Sequence, residues 1–175
     1  AVVYAPFDKD EALFSPSTVY RQLWGGARHV VERFASKPDT SHLAVVGHSY
    51  GAGAIPFVAY TSLVEHNWGA RAACLFSMAP WYSYQITDRQ LDAFPSHVNM
   101  IMQVYDHDRV NDHRMAIDIF NAIGIPDSHK TFVMLRSDTC GRDPYVSHHS
   151  VPAGFGRDDP EVNRPDYYGV YRLYH

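Results

Sequence analysis

Short, continuously apolar runs alternate with helical stretches along this chain, and that alternation limits the folds open to it. The runs fall at residues 1–5, 42–47, 73–78, 99–105 and 131–135. Large apolar, β-branched or aromatic residues fill most of their positions, not every second one. That is the pattern of strands covered on both faces, hence of a parallel sheet flanked by helices. Between the runs, residues 17–35 carry Val19, Leu23, Ala27, Val30, Val31 and Phe34 at helical spacing behind the start signal Ser15-Pro16-Ser17-Thr18. Residues 52–64 are small and apolar on most faces, which predicts a buried helix. Residues 112–123 place Met115, Ile117, Ile119, Phe120 and Ile123 along one stripe, then stop at Gly124 with Pro126 beyond. The expected fold class is α/β: a three-layer, mostly parallel sheet flanked by helices, in a single domain. The tail from Asp138 is rich in Gly, Pro, Asp and aromatics and reads as loop plus one helix from near Pro165.

Composition removes several function classes. Nine Phe, twelve Tyr and three Trp in 175 residues supply core material that a disordered chain lacks. The longest mostly apolar stretch, 72–82, is broken by Ser77 and is far shorter than the ~20 residues of a membrane span. Fifteen basic against nineteen acidic residues, without a basic run, argue against a nucleic-acid partner. Cys74 and Cys140 are the only cysteines, so no disulfide framework is implied and one bridge stays open. The chain starts at Ala1 without a Met or a basic leader and reads as trimmed or mature.

One segment carries chemistry. Residues 43–53 run from an apolar strand through Gly47-His48-Ser49-Tyr50-Gly51 into a small-residue helix. In that strand–turn–helix setting, a G-x-S-x-G sequence holds its Ser in a sharp bend with the hydroxyl exposed above the sheet. The glycines are expected to avoid clashes with the neighbouring strand and helix, and the helix start offers N–H donors and a positive dipole end. No Lys-Ser/Thr follows, so the turn is not a phosphate loop.

On these residues the chain resembles the α/β-hydrolase superfamily, whose members run Ser, then Asp or Glu after a later strand, then His after the last. The resemblance implies Ser49 as nucleophile and Asp108 as the acid, with Asp106 as the alternative and Asp112 as a helix N-cap. It implies His149 as the base, with the adjacent His148 as competitor. His would take the Ser49 proton and return it to the leaving group, while Asp fixes the imidazole tautomer. Tyr50, next after the nucleophile, would give one backbone N–H to the oxyanion. The second donor belongs to an N-terminal loop, and no motif for it is visible. Either the domain lacks its N-terminal strands, the resemblance then covering its C-terminal two-thirds, or the run at 1–5 lies beside the nucleophile strand and Phe7 or Asp8 donates.

His48 and Trp81 are the candidate substrate contacts. His48, beside the nucleophile, reads as packing against neighbouring loops in preference to a catalytic role, since an elbow residue points away from the serine. Trp81, in Ala79-Pro80-Trp81, is similar to the Pro-Trp of cutinase-like and polyester-degrading hydrolases, where the indole lines the acyl cleft; ordinary core packing is the competing reading. Tyr82, Tyr84, Tyr167, Tyr168 and Tyr171 read as half-buried packing. Asp106-His107-Asp108, Asp112-His113 and His148-His149 form a His/Asp-rich set, but no H-E-x-x-H, H-x-H or Cys-pair spacing accompanies it, so no metal and no cofactor is expected. The resemblance implies hydrolysis of a small-molecule or lipid-like carboxylic ester through an acyl-Ser49 intermediate. A non-catalytic binding module or inactive piece of the fold is the alternative, and a metal-dependent hydrolase the third.

Overall fold

In a computed structural model, the structure describes residues 15–34, 36–140, 143–153 and 168–170. Four of the apolar runs become strands: β1 (His42–His48), β2 (Ala72–Met78), β3 (Val98–Tyr105) and β4 (Lys130–Leu135). All pair in parallel, in the spatial order β1-β2-β3-β4, with Val45 opposite Leu75, Leu75 opposite Met100 and Met102 opposite Phe132. The run at 1–5, Phe7, Asp8, Tyr167 and Tyr171 lie outside the described residues. So does most of the stretch read as a terminal helix from near Pro165.

The helices are α1 (Pro16–Arg33), α2 (Tyr50–Tyr60), α3 (Asp88–Asp92) and α4 (His113–Ala122). Pro16 opens α1, where a missing N–H costs nothing. α2 continues into one turn of π-helix at Thr61–Glu65 and carries Pro56 internally, so the buried helix starts earlier and ends less regularly than its composition suggests. α3 was not expected from periodicity, being too short to show one. Its signal was the Thr87-x-x-Gln90 capping box, which forms with both reciprocal bonds. Asp112 caps α4 by accepting from the Arg114 amide, as its place before the apolar stripe suggested. The tail differs from the expected loop: Asp138–Cys140 and Asp143–Tyr145 pair antiparallel as β5 and β6.

The strand pleat divides the core. On one face Leu75, Met100, Met102 and Val104 pack against Ile55 and Leu63 from the α2 side, Leu91 of α3 and Ile119 of α4. On the other, Phe76, Met78 and Tyr105 pack against Val151 and Val170, with Ile101 and Leu135 alongside. Burial on both faces, expected for every strand, is found mainly in β3 and the second half of β2. In β1, His42, Ala44 and Val46 are exposed, Val46 to 43%. The cause is position: among the described residues β1 pairs only with β2 and forms the sheet edge. Beside it runs a groove of about 370 Å³ lined by Leu23, Ala27, Val31, Val45, Gly51 and Ile55. No described helix is long and apolar enough to cross a membrane.

Candidate active site

One residue, Ser49, separates β1 from α2, at φ +54° and ψ −118°. A side-chain-bearing residue held there stores about 1–3 kcal/mol of backbone strain. Three bonds hold it: its N–H donates to the Met78 carbonyl (2.9 Å), and its carbonyl accepts from Gly53 (3.0 Å) and Trp81 (2.9 Å). A Cβ at Gly47 would sit 2.5 Å from the Gly51 carbonyl oxygen, so that glycine is forced by a close backbone approach. Gly51 corrects the expectation for the second motif glycine. Among the described residues a Cβ there meets nothing within 4 Å, because it faces the groove beside β1. The second tight glycine is Gly53, whose Cβ would lie 2.5 Å from the Tyr82 carbonyl oxygen.

His149 lies within hydrogen-bond reach of both remaining groups: Nε2 is 2.8 Å from Ser49 Oγ and Nδ1 is 2.8 Å from Asp108 Oδ2. This arrangement puts the proton on Nδ1 and leaves Nε2 to accept from the Ser49 hydroxyl. The Asp108 side chain is only 1% exposed, and its second oxygen accepts the amides of Val110 (2.8 Å) and Asn111 (2.9 Å). These two amides supply the partners that a buried polar side chain requires. The alternatives go elsewhere. Asp106 binds Ser137 and His107, Asp112 caps α4, and His148 Nδ1 accepts the Ser150 amide within the turn.

His48 packs under this relay. Its Nε2 lies 2.7 Å from the His149 carbonyl oxygen, which requires a proton on Nε2, and the two imidazole rings are 4.7 Å apart. Burial, reinforced by the neighbouring His149, pushes the His48 pKa down to about 4, so the ring is neutral at pH 7. Tyr50 is the first residue of α2, where N–H groups lack intrahelical acceptors. Trp81 is half-buried; its amide holds the Ser49 carbonyl and its indole meets Tyr82 edge-on at 5.0 Å.

Several contributors carried no signal in the sequence. Tyr20 reads as one more apolar position of α1, yet it is fully buried and its hydroxyl donates to the Tyr82 carbonyl (2.9 Å). Its ring packs on Tyr50 at 5.4 Å and Tyr84 at 6.0 Å, and burial raises its phenol pKa. Buried Asn111 donates Nδ2–H to the Ala79 carbonyl (2.6 Å), fixing the turn after β2. Ala79 itself sits at φ +44°, so strained turns end both β1 and β2 beside the relay. Among the described residues no cluster of three His, Cys, Asp or Glu is arranged to hold a metal ion, and Cys74 is an exposed free thiol.

No protein-family model matches the chain, and no curated protein matches it. Solved structures do match. The chain is similar to a CIB-like hydrolase from Thermoplasma acidophilum (TM-score 0.51, 9% identity, covering 86% of this chain and 58% of that one). It is also similar to acyl-protein thioesterase 2 of Zea mays (TM-score 0.54, 14% identity, covering 89% and 64%). The fold is that of the α/β-hydrolases. The chain spans about three-fifths of the length of these two proteins.

Proposed function

We propose that this chain is a serine hydrolase that cleaves carboxylic esters of small or lipid-like substrates. The observation carrying this reading is the unbroken Ser49–His149–Asp108 relay, 2.8 Å at each link, with the serine held at positive φ. As Ser49 Oγ attacks the ester carbonyl, His149 Nε2 takes its proton. The tetrahedral intermediate expels the alkoxide, to which His149 returns the proton, leaving acyl-Ser49. Water, deprotonated by the same nitrogen, then hydrolyses the acyl group. Asp108 keeps Nδ1–H in place and offsets the imidazolium charge in a site where bulk water does not screen it. The Tyr50 amide serves the oxyanion, and Trp81 with Tyr82 forms one wall of the acyl site. His48 borders that site and braces His149 from beneath.

The same reading treats residues 1–175 as one domain whose sheet continues past β1. Its support is the half-exposed edge strand, the groove beside it and the greater length of the structural relatives. The missing oxyanion donor belongs on that side.

Labelling by a fluorophosphonate, with p-nitrophenyl butyrate turnover in parallel, tests the reading. One equivalent should attach to the wild-type chain and none to Ser49→Ala. Equal labelling of the mutant removes Ser49 as nucleophile. A wild-type chain that neither labels nor turns over substrate supports a binding module instead, and activity abolished by EDTA points to a metal-dependent enzyme. A thioester belongs in the panel, since the same acyl chemistry cleaves it.

A further inference from the structure

The acid and the base of the relay stand on loops after different strands, and a second hydrogen-bond chain ties those loops together without using any relay residue. Asp106, the first residue beyond β3, accepts from Ser137 beyond β4 twice: amide to Oδ2 (2.9 Å) and hydroxyl to Oδ1 (2.7 Å). With its proton committed to Asp106, the Ser137 oxygen accepts from the Ser147 amide (2.9 Å), while His107 Nδ1 stands 2.8 Å away. One donated and two accepted bonds fill that hydroxyl's capacity. The Ser147 carbonyl accepts the His107 amide (3.0 Å), so both backbone polar groups of this fully buried residue are gripped. Ser147 precedes His149 by two residues, and His107 adjoins Asp108. The clamp thus fixes the distance between the base and its acid.

We propose that Asp106, acting through the Ser137 hydroxyl, is a positioning residue that sets where the His149 imidazole stands. The proposal rests on the catalytic reading of Ser49, His149 and Asp108 given above. Neither Asp106 nor Ser137 touches the relay, so loosening them should slow the proton transfer and leave substrate binding alone. Displacing a catalytic group by a fraction of an ångström to an ångström costs up to ~10²-fold in rate.

The experiment compares the whole chain with Ser137→Ala, Ser137→Thr and Asp106→Asn, each normalised to active sites titrated with the phosphonate. Normalisation removes any loss caused by unfolded molecules. For Ser137→Ala, kcat per titrated site should fall ~10- to 100-fold with KM held within about twofold. Ser137→Thr, which keeps the hydroxyl, should recover most of the rate. Asp106→Asn should lose less than Ser137→Ala, and it replaces that variant should it not fold. Amide hydrogen exchange at Ser147 should accelerate in Ser137→Ala. Wild-type kcat per site in Ser137→Ala, a Ser137→Thr as slow as Ser137→Ala, a KM rise without loss of kcat, or unchanged Ser147 exchange each overturns the clamp. A wild-type chain that does not label at all overturns the hydrolase reading instead, and the exchange measurement then still decides whether the clamp holds the loop.

Discussion

The two sides of β1 are built to different standards. Toward β2 every register position is matched, and the loops beyond β2, β3 and β4 interlock through Asn111, Asp106 and Ser137. Toward the other side, among the described residues, Val46 faces solvent and a groove replaces a neighbouring strand. The glycines of one motif record the difference: Gly47 has backbone at 2.5 Å from where a Cβ would be, and Gly51 has no described residue within 4 Å. Asp108 and His149, the proposed acid and base, both stand on this finished side. In the proposed reading, the relay is assembled on the β2 side alone, and the oxyanion site draws on the other.

The finished side makes the largest prediction. His149→Ala and Asp108→Asn should each lower ester turnover by about 10⁴-fold, since removing the base or freeing its tautomer disables the same step. Asp112→Ala is the control, because its carboxylate caps α4 and does not reach the relay: about 1 kcal/mol of stability lost in urea melts, with kcat unchanged. If Asp112→Ala and Asp108→Asn lost similar activity, the placement of the acid on this side would be wrong. Next in size is Gly47→Ala. The added carbon lands on backbone, which cannot swing away as a side chain can, so the expected loss is about 3 kcal/mol or more.

His48 sets a pH test on the same side. Its folded pKa of about 4 lies below the ordinary 6.5, so between these values the unfolded chain binds the proton that the folded chain refuses. Stability contributed by the neutral ring is full above pH 6.5 and is lost progressively as pH falls toward 4, by up to about 3 kcal/mol. His48→Gln, which keeps a donor for the His149 carbonyl, should flatten that part of the urea-stability curve. Asp106 contributes separately and lower. Burial works against its charge, but bonds from His107 and Ser137 outweigh that and hold it at about 2, so its share is lost from pH 3.8 downward. A His48→Gln curve as steep as wild type above pH 4 would move the titrating group elsewhere.

Legibility in the sequence followed the same division. The parallel strands were readable because residues buried on both faces leave unbroken apolar runs, and the elbow because strand, glycine and serine fall in one local segment. Asp108 and His149 could be narrowed to short loops by chain order, but not separated from Asp106 and His148. Which neighbour turns inward depends on bonds to Val110, Asn111 and Ser150 that no local pattern encodes. The clamp through Ser137 and Ser147 was invisible for the same reason, since it joins three loops by single polar atoms. At β1 the pattern and the described structure differ: residues 42–47 are apolar enough for a central strand, and among the described residues β1 pairs only with β2.

Gly51→Ala is the smallest expected effect and the sharpest test of the contrast. On the described side of the molecule nothing opposes the methyl group, and α2 gains from it, because Gly inside a helix costs about 0.5–1 kcal/mol relative to Ala. Thermal and urea melts of the chain should therefore show a gain of that size, against the large loss for Gly47→Ala. The sign is what matters. A loss of more than about 1 kcal/mol in Gly51→Ala means backbone lies against that helix face and the groove beside β1 is filled. The same measurement on a longer chain carrying added N-terminal sequence sharpens it further. If the mutation stabilises the shorter chain and destabilises the longer one, the added segment packs beside β1, on the side from which the proposed oxyanion site takes its second donor.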